Sequence, residues 1–363
     1  MTEAAALNGI CPYFTMFPLE FPLGILRRQA RRGESVLDPF CGRGTTNFAA
    51  RLAGLHTVGV DSSPVAAAIA AAKLVSTTAE SVSYETEGIL RSGSTQQIPV
   101  GEFWAWAFDP DVLEALCRMR EALLEDCSGA ERIALRAIVL GALHGPQQKS
   151  FPSYFSNQCP RTYAPKPAYA VRYWKNLKLT PRPVDVVALI HRRAARYYVD
   201  LPPGHGVVRH ADGRNPDALR HVSPRKRFDW IITSPPYYGM RTYVPDQWLR
   251  NWFVGGPNTV DYSTRHQVVH SSPDEFAADL RRVWRNAYVA SSNGAKLIVR
   301  FGGISDRNVE PLDLLRCSLA DSGWRIRTAR TAGTAREGKR QADAFLRRRT
   351  KPVAEYDVWA AKD

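Results

Sequence analysis

Two apolar runs, each ending in an aspartate and each followed by a helix of small residues, constrain this 363-residue chain more than any other feature. Glu34-Ser-Val-Leu-Asp38 reads as a short strand, breaks into a glycine loop, and continues as Asn47-Phe-Ala-Ala-Arg-Leu-Ala53 with helical spacing. His56-Thr-Val-Gly-Val-Asp61 repeats the strand, and an alanine-rich helix follows from about Pro64 to Leu74. Two βα units in succession require a parallel sheet, because strands joined through a helix run the same way. The expected class is therefore α/β, with a doubly wound sheet.

The rhythm breaks after Val75. A polar stretch leads to helical patterns at Asp109–Leu124, Glu131–Leu143 and Pro183–Tyr198, and a loop rich in Pro, aromatic and basic residues spans Gly145–Tyr173. Strand-like runs resume at Gly206–Asp212, Phe228–Ser234 and Ala295–Phe301. Trp324–Arg330 and Glu355–Ala360 are expected to pair as an antiparallel edge, with the basic segment Arg336–Lys351 between them. The expected organisation is an α/β domain in two parts, residues 1–79 and 205–363, interrupted by a mainly helical insertion at 80–204.

Ligands of doubly wound folds bind outside the carboxyl ends of the strands, which is where Asp38-Pro-Phe-Cys-Gly-Arg-Gly44 falls. It lacks the Lys of a phosphate-binding loop. Gly42 and Gly44 let a ligand approach the backbone, Asp38 suits a cationic ammonium group, and Asp61 suits a ribose diol. Together these residues point to a nucleoside cofactor. Thr233-Ser-Pro-Pro-Tyr-Tyr-Gly239 follows an apolar strand expected beside the first one. Consecutive prolines hold the chain extended and fix the direction of the Pro235 carbonyl. That carbonyl and the Ser234 hydroxyl make two acceptors for an amino group with two hydrogens, and Tyr237 offers a ring for stacking a base.

Asp38-Pro-Phe-Cys-Gly-Arg-Gly-Thr-Thr46 resembles the cofactor motif of amino-directed DNA methyltransferases, D-P-F-x-G-S-G-T-T, with Arg43 where the family commonly has Ser. Ser234-Pro-Pro-Tyr237 resembles their catalytic motif, and Tyr13–Pro22 resembles the segment that covers the methionine end of the cofactor. The resemblance spans about residues 10–75 and 205–305. It implies a Rossmann-like class I methyltransferase sheet and S-adenosylmethionine as cofactor. It implies cofactor binding by Phe14, Thr15, Asp38, Phe40, Cys41, Gly42, Gly44, Thr45, Asp61, Ser62 and Asp212, the last at the adenine amino group. The catalytic set is Ser234, Pro235, Pro236 and Tyr237. In the family S-P-P-Y usually accompanies transfer to cytosine N4 and D-P-P-Y or N-P-P-Y to adenine N6, so Ser234 favours N4. Adenine N6, an RNA base, and a non-catalytic DNA-binding protein stay open as alternatives.

Forty-nine Lys and Arg against 35 Asp and Glu give a net charge of +14, which favours a polyanionic partner. Double-stranded DNA is the expected one, its target base flipped into the pocket. Lys149, Arg161, Lys166 and Arg172, with Arg241 and Tyr243 after the catalytic motif, are the candidate nucleic-acid contacts, and a cognate restriction endonuclease is a candidate protein partner. Six cysteines without a C-x-x-C pair give neither a zinc pattern nor a disulfide framework. Cytosine-C5 chemistry needs a Cys nucleophile in a Pro-Cys context, and Gln158-Cys-Pro160 has the reverse order. With no long apolar run and no signal-peptide pattern, the expectation is a cytoplasmic protein without metal or membrane contact.

Overall fold

The computed structural model describes residues 3–13, 17–92, 95, 97–145, 153–157, 166–219, 227–239, 244–261, 272–303, 309–334 and 354–363. The chain forms two compact units. A helical unit comprises Met1–Pro12, Val75–Leu201 and Tyr243–Thr264, and a sheet unit comprises Tyr13–Leu74, Pro202–Thr242 and Arg265–Asp363.

In the sheet unit the strands are β1 (Ser35–Asp38), β2 (His56–Asp61), β3 (Gly206–His210), β4 (Phe228–Thr233), β5 (Ser291–Gly302), β6 (Arg325–Thr334) and β7 (Ala354–Ala361). Among the described residues they lie in the order β3-β2-β1-β4-β5-β7-β6. The first five pair in parallel, whereas β7 is antiparallel to both β5 and β6. This is the doubly wound sheet with an antiparallel edge that the strand pattern leads one to expect. All four residues of β1 are buried, as befits the centre of a parallel sheet covered on both faces.

Helix Pro273–Ala290 covers one face. It starts where Ser272 accepts from the Glu275 amide at 3.4 Å, with Pro273 in the first turn. Its stripe of Phe276, Leu280, Val283, Trp284 and Ala287 is buried in one cluster with Leu37, Ile231, Leu297 and Val299 of the strands. Two indoles are buried there with their N–H groups satisfied: Trp284 donates to Ser318 Oγ at 3.0 Å, and Trp324 to the Trp284 carbonyl at 2.9 Å.

The helical unit is organised around aromatic residues. Trp104 lies 4.7 Å from Trp252 and 5.8 Å from Trp248 between ring centroids, and Phe103 lies 5.8 Å from Trp174. The expected helices are present as Pro110–Glu125, Ala130–Ala142 and Val186–Tyr197. Two readings of this region need correction. The polar stretch after Val75 contains helix Ala79–Arg91, which begins where the Thr78 hydroxyl accepts from the Ser81 amide at 3.1 Å. The loop expected over 145–173 ends early, because Pro167 opens helix Pro167–Asn176, whose Ala170, Val171 and Trp174 are buried. A proline in the first turn costs the helix no hydrogen bond, so composition alone misleads there.

Candidate active site

The loop after β1 owes its path to its glycines. Gly44 has φ 77°, and a Cβ there would stand 2.7 Å from Ala70 Cβ, so the loop lies directly on helix Pro64–Ala71. Gly42 has φ 50°, and among the described residues only the Phe40 carbonyl comes within 4.0 Å of an added Cβ. Two aspartates fix the loop. The Asp61 carboxylate accepts from the Gly42 amide at 2.8 Å and from the Ser63 amide at 2.9 Å, so the end of β2 holds the loop that follows β1. Asp38 Oδ1 accepts from the Thr233 hydroxyl at 2.6 Å and from the Phe40 amide at 3.2 Å.

Burial raises Asp38 to a pKa of about 7, against the lowering effect of its bonds from Thr233, Thr46 and the Phe40 amide. Burial also raises Asp61, opposed by its two backbone bonds. Cys41 is pushed well above the usual thiol value, first by burial and then by Asp61 and Asp38. A thiol so disfavoured as thiolate is no nucleophile at neutral pH.

The Ser234–Tyr237 motif leaves the carboxyl end of β4, next to β1 in the sheet, with Val36 opposite Trp230 and Leu37 opposite Ile231. Ser234 is half-buried and Pro235 buried. Tyr238 turns inward, 5.4 Å from Phe276, whereas Tyr237 is half-buried with its ring edge-on to Phe301 at 5.5 Å. Its hydroxyl donates to Glu355 Oε1 at 3.1 Å.

At the end of β3, Asp212 meets Arg214 side-on. Arg214 Nε lies 3.0 Å from both Asp212 oxygens, and Nη2 lies 2.6 Å from Oδ2. Arg214 Nη1 donates to Asp279 at 2.7 Å, so this loop is fastened to helix Pro273–Ala290. Ser62 accepts through its carbonyl from the His210 ring at 3.1 Å.

Asp38, Phe40, Cys41, Gly42, Gly44, Thr45, Asp61, Ser62 and Asp212 thus lie on or beside the loops after β1, β2 and β3, and Ser234–Tyr237 on the loop after β4. Phe14, Thr15, Lys149, Arg161, Arg241 and Tyr243 lie outside the described residues. Lys166 and Arg172 are exposed in the helical unit, at the N-cap and on the body of helix Pro167–Asn176. Sequence reasoning missed Thr233, Glu355, Arg214 and Asp279. Only Thr233 had a signal, since it adjoins Ser234.

S-adenosylmethionine carries an ammonium group, a sulfonium, a ribose diol and an adenine. A buried carboxylate at Asp38, carboxylate oxygens at Asp61 and a glycine at residue 42 suit that group. Sheet order, strand-end acids and the Ser-Pro-Pro-Tyr loop define the class: an S-adenosylmethionine-dependent methyltransferase with the class I fold. Within it, residues 4–72 match the family model described as DNA methylase. No curated protein matches the chain. Among solved structures, the rRNA methyltransferase aviRa from Streptomyces viridochromogenes is 15% identical with a TM-score of 0.37, covering 98% of this chain and 89% of that one. A SAM-dependent methyltransferase from Methanosarcina mazei is 10% identical with a TM-score of 0.35, covering 96% and 99%. Among the described residues no group of three or more His, Cys, Asp or Glu could hold a metal ion, and no helix is long and apolar enough to cross a membrane.

Proposed function

We propose that this protein transfers a methyl group from S-adenosylmethionine to the N4 amino group of cytosine in double-stranded DNA, acting on a flipped base in the cytoplasm. One observation carries the reading: Asp38 and the Ser234–Tyr237 loop stand at the same end of two adjacent parallel strands, joined by the Thr233–Asp38 hydrogen bond. The match of residues 4–72 to a DNA methylase family supports DNA as the substrate.

The cofactor supplies an electrophilic methyl group. Asp38 would hold its ammonium end and Asp61 its ribose. The amino lone pair of a nucleobase is delocalised into the ring and is a poor nucleophile. The Ser234 hydroxyl and the Pro235 carbonyl accept hydrogen bonds from its two N–H groups, which draws the nitrogen out of conjugation, while Tyr237 stacks the ring. Positioning of this kind is worth on the order of 7–11 kcal/mol of barrier. No covalent enzyme intermediate is formed.

The helical unit, through Lys166 and Arg172 together with Lys149 and Arg161, is the proposed DNA-recognition region, with Arg241 and Tyr243 contacting the strand near the flipped base. A cognate restriction endonuclease is the proposed functional partner. The experiment is sequencing, with chemistry that separates 4-methylcytosine from 6-methyladenine, of DNA from a host expressing the protein. Methylated cytosine at a fixed sequence supports the proposal, and methylated adenine would transfer it to N6.

A further inference from the structure

Two prolines fix the backbone ahead of Tyr237, but the orientation of its ring must be set by what the side chain touches. Phe301 meets the ring edge-on at 5.5 Å with 77° between the planes, and the hydroxyl donates to Glu355 Oε1 at 3.1 Å. Glu355 lies near the start of β7, directly opposite Gly302 of β5 in the antiparallel register. A Cβ on Gly302 would stand 2.9 Å from Glu355 Cγ and 3.0 Å from Tyr237 Cε2. Residue 302 must therefore lack a side chain for the carboxylate and the ring to meet. The last strand in sequence, which lies between β5 and β6, thus reaches back to the Ser234–Tyr237 loop, 118 residues away in sequence.

We propose that Glu355, in the space left by Gly302, is a positioning residue that fixes the Tyr237 ring for stacking on the target base. This rests on the assignment of Tyr237 as the stacking ring. An edge contact with Phe301 does not by itself fix the hydroxyl end of the ring, whereas an anchor at the hydroxyl holds that end before the base arrives. Ordering then costs less on binding, and the benefit falls on turnover rather than on cofactor affinity. The same contact explains a tyrosine rather than a phenylalanine at residue 237, since stacking alone does not need the hydroxyl.

The test is a double-mutant cycle on the full-length protein, with E355A, Y237F and the double variant compared with wild type in methyl transfer to duplex DNA. E355A should lower kcat about tenfold, the equivalent of one charge-assisted hydrogen bond. S-adenosylmethionine affinity should stay unchanged. In the Y237F background the same substitution should change kcat by less than about twofold, because the partner hydroxyl is already gone. E355Q, which keeps an accepting oxygen, should restore most of the rate. Equal losses in both backgrounds, or a parallel loss of cofactor affinity, would overturn the proposal by showing that Glu355 serves only the sheet. Wild-type protein that methylates no DNA would defeat the proposed function instead. Thermal melting of the four proteins then decides the anchor separately: E355A must lower Tm only where Tyr237 keeps its hydroxyl, and equal lowering in both backgrounds overturns it.

Discussion

Thr233 donates its hydroxyl to Asp38 Oδ1 at 2.6 Å, tying the last residue of β4 to the last residue of β1. Both residues are buried, so this bond couples the loop after β1 to the loop after β4 through the sheet itself. Thr233→Val keeps the shape and removes the hydroxyl. It leaves a buried carboxyl short of a partner and should destabilise the protein by about 1–3 kcal/mol in denaturant unfolding. Methyl transfer should fall with it, and a variant unchanged in stability and rate would show the bond to be incidental.

The raised pKa of Asp38 has a sign that can be measured. Between its ordinary value of 3.8 and about 7, the folded protein holds a proton that the unfolded chain has released. Asp38 therefore favours the folded state less as pH rises through that window. Ionised Asp38 holds a cation better, so S-adenosylmethionine affinity should rise as pH passes through about 7. Calorimetry across that range should show the rise in wild type and a flatter profile in Asp38→Asn. Identical profiles would remove Asp38 from the ammonium contact.

The proposed reading gives Tyr237 and Ser234 to the chemistry and not to cofactor binding. Tyr237→Ala should nearly abolish methyl transfer while preserving S-adenosylmethionine binding, since the cofactor residues lie on other loops. Ser234→Ala removes one of two acceptors and should slow turnover by about 2.7–4 kcal/mol of barrier, the usual cost of one well-placed group of this kind. Loss of cofactor binding together with activity in either variant would contradict the division.

The charge of +14 predicts that DNA binding weakens steeply with salt, as neutralised phosphates give up counterions. Lys166→Ala with Arg172→Ala should lower DNA affinity and flatten the salt slope by about two phosphate contacts, with cofactor affinity unchanged. A salt-insensitive complex would count against a phosphate-tracking surface.

Much of the fold was legible because it is written in local signals. The apolar runs of β1, β2 and β4, and the aspartates that end the first two, fall where parallel strands and their ligand loops require. The edge pair was legible from its alternating strand pattern. The helix at Pro167–Asn176 was hidden, because Pro, Tyr and Lys read as loop composition until Trp174 is seen buried in the aromatic cluster. The Arg214 clamp on Asp212 was hidden for a different reason: it needs Asp279 on a helix more than sixty residues later to hold the arginine. Glu355 was the least visible, since its meaning depends on the register that sets it opposite Gly302.

The central claim is the identity of the product, and mass spectrometry of nucleosides from duplex DNA incubated with the protein and S-adenosylmethionine tests it most directly. The proposed reading, in which the S-P-P-Y form of the Ser234–Tyr237 motif favours cytosine N4, predicts 4-methylcytosine. 6-Methyladenine alone would contradict the choice of base and leave amino transfer standing. 5-Methylcytosine would contradict the mechanism itself, because it requires a thiolate that the buried Cys41 does not provide.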